Sequence, residues 1–318
     1  MLIHNPDSFL SGDEPFMQTR ILEISDHSVE QELTFEARHE GFIGIPHGGL
    51  AMGLCLDAWR RTDLVQYPVK VSCRLGGSGV KIGDVCSFTV QRSPNGEEPH
   101  VHAFLTKKGE RAPYMRAEIF PHAQSGSVDR MPDEPDKYFR KLPYYKNCFV
   151  CGHHRDMLGL QRRFRAHTSN DHILTTTPWG SDNEDFDRAE KLLVAKDELH
   201  PAVLISILDE NTGWAGFMQT RSAGLSVRMN FTVLRPVKLT EELLFIGWPT
   251  GIRGNPKNPR FFLASGTILS MNDSSDPEPI AFGQGEWIVL EEYTKQIRKN
   301  LLPKDDWQWI FGEKDADK

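Results

Sequence analysis

The chain has 318 residues, of which 39% are hydrophobic and 25% charged, and these values are typical of a soluble globular protein with two domains. A formal charge of −7 excludes a general nucleic-acid surface, which needs a basic excess. No apolar run approaches the roughly 18 residues of a membrane span, and the opening MLIHNPDSFLSGDEP lacks the apolar core of a signal peptide. Five cysteines in no regular framework fit reduced thiols, so we expect a cytoplasmic protein.

The first half of the chain predicts one long apolar helix between antiparallel strands. Two strands come first, a helix begins after His47, and four more strands follow, with turn signals such as SPNGEE between them. The six predicted strands are 19–25, 28–37, 67–75, 84–92, 100–108 and 114–120. We assign residues 1–122 to an N-terminal domain.

A linker then separates this pattern of strands and helix from a second copy of it. Residues 123–146 are rich in Pro, Asp, Ser and Lys without apolar periodicity, which predicts a linker. Two strands, an apolar helix over 200–218 and four more strands make up a C-terminal domain, residues 147–291. In the C-terminal tail, residues 292–318, the tryptophan-rich WQWIF predicts docking on the body or on a partner chain.

The two halves echo each other. His47 and His200 each open a helix, Asp57 and Asp209 each lie near the third turn, and the stretches VKIGD and VKLTE occupy equivalent places between strands. A repeat of this length indicates a duplication with a pseudo-twofold axis, since a solenoid would need shorter and more numerous units. The alternative is a chance similarity of two α+β halves.

Two glycines, Gly48 and Gly49, stand where the first helix begins, in the stretch IPHGGLAMG. Glycine is a poor helix former, so the pair requires a reason. One reason is a simple chain reversal. The other is that a ligand or another backbone must come very close to the bare main chain.

These features resemble the hotdog fold. The stretch CFVCG at 148–152, followed by Gly159-Leu160, is similar to the opening signature of the PaaI-like acyl-CoA thioesterases, and His200 with Asp209 is similar to their helix motif. The resemblance covers about 20–120 and 147–290. It implies an α+β double hotdog in one chain, with each half an antiparallel sheet wrapped around one long apolar helix.

The resemblance also implies the chemistry and the partners. The site lies between two hotdog units, where the N-terminal N–H groups of one helix polarise a thioester carbonyl and a carboxylate of the other unit activates water or attacks directly. The substrate is an acyl-CoA, coenzyme A is part of that substrate, and neither a separate cofactor nor a metal is implied. Because hotdog units associate through sheet edges, a homodimer is expected.

The two halves differ in what they offer to such a site. Gly48 has a backbone N–H where the second half has Pro201, and proline has none. The carboxylates differ in the same sense, because Asp209 is the ninth residue after its histidine, whereas Asp57 is the tenth. One residue turns a side chain by about 100° on a helix. We therefore predict one working site per chain, with the Gly48 amide as oxyanion donor and Asp209 as general base or nucleophile.

The candidate site residues fall into two groups. Predicted catalytic residues are Asp209, Gly48, Gly49 and His47, and predicted substrate-binding residues are Thr212, His200 and Asp57. Each has a purely structural alternative: a solvated helix shoulder for Asp209, a tight turn for the glycines, loop geometry for His47 and a core hydroxyl for Thr212. An unpaired charge in the apolar surroundings of Asp209 is costly, which favours function there.

The motif Cys148-x-x-Cys151, with His153 and His154 close behind, invites comparison with a zinc site. Tetrahedral sites usually combine two well-separated ligand pairs, whereas these four candidates crowd into one short stretch. We therefore predict a turn with packed thiols and no metal.

Two functions compete with hydrolysis. A double-hotdog enoyl-CoA hydratase is expected to carry its catalytic Asp and His together ahead of the glycine loop, but SGDEP at 11–15 precedes both opening strands and has no histidine close after it. A degenerate, non-catalytic hotdog that binds an acyl thioester or a partner protein is the second alternative, which the partial loss of motifs in one half favours.

Overall fold

The computed structural model describes residues 16–25, 27–60, 65–76, 79–93, 101–121, 139–153, 155–168, 172–180, 194–195, 198–272, 277–304 and 306–312. The predicted linker lies partly outside these ranges, and the acidic stretch 11–15 and His154 lie outside them altogether.

Alternating apolar and polar residues produce the strands. In β3, the residues Val69, Val71, Cys73 and Leu75 are buried while Lys70 and Arg74 between them are exposed, as the twofold period of a half-buried strand requires. The strands are β1 (Thr19–Ile24), β2 (Ser28–Thr34), β3 (Val69–Leu75), β4 (Val85–Arg92), β5 (Val101–Lys107), β6 (Met115–Pro121), β7 (Arg140–Lys141), β8 (Tyr144–Tyr145), β9 (Arg165–Thr168), β10 (Ile173–Trp179), β11 (Val194–Ala195), β12 (Glu198–Leu199), β13 (Gly224–Val233), β14 (Leu243–Asn255), β15 (Asn258–Ser270), β16 (Glu278–Val289) and β17 (Leu301–Leu302).

Thirteen of these strands form one antiparallel sheet that runs through both halves of the chain. The order is β1-β2-β4-β5-β6-β3-β13-β16-β15-β14-β10-β9-β7. The halves join where β3 pairs with β13, in a register that sets Val69 opposite Val233 and Arg74 opposite Arg228. The sheet therefore brings the two repeats edge to edge and fixes their relative position.

Two buried helices lie at the centre of the core. They are α1 (Gly48–Arg60) and α2 (Pro201–Thr220), and nearly all their side chains are buried, as expected of helices that are apolar all round. Two shorter helices, α3 (Glu291–Asn300) and α4 (Gln308–Phe311), follow the last long strand, and a single 3-10 turn (Ala37–His39) precedes α1. Among the helices described, none has the length and apolarity of a membrane crossing.

The two central helices approach each other at small residues. A Cβ atom on Gly49 would lie 2.3 Å from Cα of Ser206, and one on Gly53 would lie 2.5 Å from Cβ of Ala202. Real Cβ atoms do not come this close to other heavy atoms. The absent side chain of Gly49 is therefore explained by helix packing.

Folded structure extends into the predicted linker and tail. Within the linker, β7 pairs with β9, and β8 pairs with β17 of the tail, so the prediction of a mere linker is wrong for these residues. The tail docks on the body of the chain, where Phe311 is buried and the Arg221 guanidinium donates to the Ile310 carbonyl oxygen at 2.8 Å.

The helix crossing makes a testable prediction. Gly53→Ala is expected to destabilise the fold by about 1–3 kcal/mol, because its methyl group would collide with Ala202 although alanine favours helix. Adding Ala202→Gly is expected to recover part of the loss, because it removes the atom that is hit. Chemical denaturation measures both variants.

The matched control is Gly76→Ala, where an added Cβ meets open space. Its effect is expected to stay within about 0.5 kcal/mol, as for ordinary surface substitutions. Equal losses in the single and double variants at the crossing would contradict the proposed contact.

Candidate active site

His47 connects the start of α1 to the middle of α2. Its Nδ1 accepts the Gly49 N–H at 3.1 Å, so the neutral ring carries its proton on Nε2. That Nε2 lies 3.3 Å from Oε2 of Glu210 and therefore donates to it. The ring is buried and hydrogen-bonded at both nitrogens, which fixes the conformation of the chain where α1 begins.

The second half repeats the same arrangement. Nδ1 of His200 accepts the Ala202 N–H at 3.0 Å, and its Nε2 lies 3.1 Å from Oδ1 of Asp57. Asp57 is therefore the counterpart of Glu210, and the treatment of Asp57 as a displaced version of Asp209 is corrected. Both Asp57 and His200 are 1% exposed and neither lines the cavity described below, so the structure does not bring these two predicted substrate-binding residues to it.

Glu210 is a site residue that the sequence analysis does not single out. Its carboxylate accepts from His47 Nε2, from the Cys148 thiol at 3.1 Å and from Trp214 Nε1 at 3.3 Å. Three donors satisfy a buried charge that would otherwise be costly. One signal in the sequence could have found it, because Glu210 is the tenth residue after His200, as Asp57 is after His47.

His47, Cys148 and Glu210 place their ligand atoms within 4.8 Å of one another, a set that can hold a metal ion. The tautomer of His47 argues against this use, because its Nε2 carries the proton and offers no lone pair. The thiols of Cys148 and Cys151 are buried, and burial raises the pKa of both. With His47 in this tautomer, the three side chains form a hydrogen-bonded group in which His47 and Cys148 donate to the Glu210 carboxylate.

Asp209 lies near Nδ1 of His47, on the side of the ring away from Glu210, and its carboxylate has fewer hydrogen-bond donors than that of Glu210. The pKa of its carboxyl is raised from 3.8 to about 6, chiefly by burial and also by the neighbouring Glu210, against the lowering effects of His47 and of the Gly49 N–H. Its Oδ1 has no hydrogen-bond partner within the described part of the chain. A buried carboxylate oxygen without a hydrogen-bond donor has unused lone pairs, which can accept a hydrogen bond from a water molecule or a substrate.

Gly48 is the first residue of α1 and faces Asp209 directly. A Cβ atom there would lie 3.0 Å from Asp209 Oδ2 and 2.8 Å from Ser226 Oγ, so a side chain would fill the site. Its N–H finds no acceptor among the residues described and is one of the free donors of the helix N-terminus. By contrast, the N–H of Gly49, the other glycine among the predicted catalytic residues, is donated to His47 Nδ1.

Ser226, on β13, is the second residue that the sequence analysis does not single out, and no motif in the sequence marks it. Its hydroxyl borders the place that a Gly48 side chain would take, close to Asp209. The three residues share a cavity of about 60 Å³ whose apolar walls include Phe42, Phe217, Trp287 and Tyr293.

Thr212, the remaining predicted site residue, points away from this cavity. Its hydroxyl donates to the Leu208 carbonyl oxygen at 2.7 Å and also contacts the Asp209 carbonyl oxygen at 3.0 Å. Its methyl group faces Gly266 on β15. The structure therefore places Thr212 in the core as a hydroxyl satisfied by its own helix.

The sequence matches no family model and no curated protein. Solved structures are similar over most of the chain, among them the acyl-CoA thioesterase II TesB2 from Mycobacterium marinum, with a TM-score of 0.54 and 14% identity over 87% of this chain and 96% of that one. The tesB protein of Mycobacterium avium subspecies paratuberculosis gives a TM-score of 0.55 and 13% identity, covering 85% and 96%.

This chain has the hotdog fold. The predicted resemblance to the hotdog thioesterase superfamily is thereby confirmed as a likeness of fold. A variant of the GphF dehydratase is also similar, with a TM-score of 0.53 and 10% identity over 85% of this chain and 97% of that one. Identities this low describe the architecture, and the chemistry has to be argued from the site.

The raised pKa of Asp209 makes a prediction about stability. The folded state holds this proton more tightly than the unfolded state, so the stabilising contribution of the protonated Asp209 carboxyl is full below about pH 4 and is lost as the pH rises through about 6. At about 1.4 kcal/mol per pKa unit, the ionised carboxylate costs the fold about 3 kcal/mol. Asp209→Asn is therefore expected to stabilise the protein at pH 8 and to change little at pH 4, as measured by chemical denaturation.

The matched control is the other buried aspartate. Asp57→Asn is expected to destabilise the protein at pH 8, because it removes the charged acceptor of His200. Loss of stability in both variants would show that Asp209 is a satisfied structural charge.

Proposed function

We propose that the chain is an acyl-CoA thioesterase, built as a double hotdog with one asymmetric active site. The observation that carries the proposal is a juxtaposition: Asp209, whose Oδ1 has no hydrogen-bond partner among the described residues, and Gly48, whose N–H has no acceptor among them, border one cavity, one from each half of the chain. These are the two groups that thioester hydrolysis needs, a base and an oxyanion donor.

In the proposed reaction the ionised Asp209 takes a proton from a water molecule, whose oxygen attacks the thioester carbonyl carbon. The carbonyl oxygen becomes an oxyanion that the Gly48 N–H and the positive end of α1 stabilise. The carbon–sulfur bond then breaks, and the proton held by Asp209 passes to the departing thiolate. Ser226 is placed to orient the water, and His47 positions the donor loop. Direct attack by Asp209 on the carbonyl carbon is the second route.

The cavity suits an uncharged acyl group. Among the described residues, its walls include four aromatic residues and four glycines, and the acidic residues are Asp209 and Glu210. Because three donors already satisfy Glu210, Asp209 is the acid available for chemistry. A cytoplasmic location, no cofactor beyond the coenzyme A of the substrate, and a homodimer are further parts of the proposal.

The equivalent place in the second half is not proposed to work. In the repeat, Pro201 is the counterpart of Gly48 and has no N–H to donate, and Leu56 is the counterpart of Asp209. Asp57 and His200 are both buried and are hydrogen-bonded to each other. One site per chain follows from this difference.

Release of free thiol from short-, medium-, long-chain and aromatic acyl-CoAs tests the proposal. Asp209→Asn is expected to lower kcat/KM by about 10²-fold or more, because it removes the base. Asp57→Asn, the same change on the other central helix, is expected to retain activity per folded molecule. Absence of thiol release from every substrate by folded wild-type protein would overturn the proposal, and acyl-CoA binding without turnover would favour the non-catalytic alternative.

A pair of substitutions at Gly48 distinguishes the effect of an added side chain from the effect of losing the backbone N–H donor. Gly48→Ala and Gly48→Pro both add a Cβ against Ser226, but only proline removes the N–H. Proline is tolerated at the first position of a helix, as Pro201 already shows. We expect the proline variant to be about 10²-fold less active than the alanine variant. Equal activities would exclude the Gly48 N–H as the oxyanion donor.

The pH profile gives an independent test. Asp209 must be ionised to act as a base, and its pKa is raised to about 6. Activity is therefore expected to fall about tenfold per pH unit below pH 6 and to level off above it. A midpoint near the ordinary aspartate value of about 4 would contradict the role of a buried base.

A further inference from the structure

A second cavity lies where the linker strands, a turn at 151–153 and the tail meet. Two of its walls are the segments 141–144 and 162–164, which run antiparallel and are joined where the Leu142 N–H donates to the Phe164 carbonyl oxygen at 2.9 Å. The tail forms another wall, because its strand β17 pairs with β8. The cavity has a volume of about 250 Å³ and shares no lining residue with the candidate active-site cavity.

The charges around this second cavity are opposite in sign to the charge of the chain. The chain has a formal charge of −7, whereas three cations line the cavity, Lys141, Arg162 and Arg163. Among the described residues that line it, the acid is Asp306, which already has a partner because the Arg140 guanidinium lies 3.5 Å from its carboxylate. Cations that line a concave surface concentrate the electric field there. The cavity therefore favours a negatively charged ligand.

The three cations do not have the same task. Arg162 is 6% exposed, and its guanidinium donates to the Leu160 carbonyl oxygen at 2.9 Å and to the Pro178 carbonyl oxygen at 3.1 Å, so it builds the wall. Lys141 and Arg163 are exposed, and neither side chain has a hydrogen bond or an ion pair among the residues that the structure describes. These two cations are the groups that can bind a ligand.

The rest of the lining is largely apolar. Leu142 and Phe164 are buried in the walls, and the ring of Tyr144 meets the ring of His153 edge to face, with 5.0 Å between the ring centroids. Sites for small molecules combine apolar walls with a few polar groups, in volumes of roughly 300–1,000 Å³. This cavity is slightly smaller, so it suits a compact ligand that has a ring and one charged group.

We propose that this cavity binds a small phosphate monoester that carries a ring, of the size of a nucleoside monophosphate, with its phosphate held by Lys141 and Arg163. Such a phosphate has a charge of about −1.5 to −2 at pH 7, which matches two cations without acidic partners. Arginine binds phosphate through parallel N–H groups, and lysine binds it as a point charge. Because the two cavities share no residue, occupancy of this one does not depend on the proposed function.

Isothermal titration calorimetry with adenosine monophosphate (AMP), adenosine and inorganic phosphate tests the class of ligand. We expect AMP to bind, inorganic phosphate to bind at least about tenfold more weakly, and adenosine to show no binding at millimolar concentration, because only AMP contacts both the cations and the apolar walls. Absence of AMP binding at millimolar concentration would overturn the proposal. So would adenosine or inorganic phosphate that binds as tightly as AMP.

Charge-removing variants test the place of binding. Arg163→Gln and Lys141→Gln are each expected to weaken AMP binding about tenfold, because each removes a charged donor to the phosphate. The matched control is Arg165→Gln, an exposed arginine two residues further along that lies opposite Lys141 but does not line the cavity. Its affinity for AMP is expected to stay within about twofold of the wild-type value.

Equal losses in the Arg163 and Arg165 variants would show a general attraction of AMP to basic surface and would overturn the proposed site. Unchanged affinity in both the Arg163 and the Lys141 variants would overturn it as well. Circular dichroism checks that the three variants are folded, as expected for substitutions of exposed side chains.

Discussion

The close crossing of α1 and α2 is the constraint on which the rest of this structure depends. Gly49 and Gly53 allow the helix backbones to approach where Ser206 and Ala202 lie, and no larger side chain fits at these contacts. This approach brings each helix start alongside the other helix's third turn. The joining of both halves in one sheet through β3 and β13 holds the crossing in place.

The crossing creates two similar sites, each where the start of one helix meets the third turn of the other. The side chains at the two sites differ, and so does the chemistry that they offer. In each place a histidine accepts an N–H of its own helix start and donates to a carboxylate of the opposite helix, Glu210 in one case and Asp57 in the other. Such a pair satisfies the helix start and a buried charge together, which is a structural task. Only one place adds a second carboxylate, Asp209, and a glycine whose N–H is left free.

Much of this arrangement could be predicted from the sequence, because it depends on local periodicity. Alternating residues give the strands, and apolar runs with a histidine in front give the central helices. The meeting of Gly48 and Asp209 is implied by the resemblance to the hotdog thioesterases, and the comparison of the two halves selects this pair. Contacts across the fold are harder to predict: Ser226 comes from a strand with no motif, and the Thr212 hydroxyl, predicted to contact substrate, is bonded to its own helix.

The adjacent acids at 209 and 210 show why burial alone does not identify a reactive group. Both are nearly inaccessible and both lie against His47. Glu210 has donors for its charge, whereas one carboxylate oxygen of Asp209 has no partner in the part of the chain that the structure describes. A charge that is already satisfied gains little by acting on a substrate. An unsatisfied one lowers its own free energy by binding a water molecule or a proton, and this difference is what separates Asp209 from Glu210 as a candidate base.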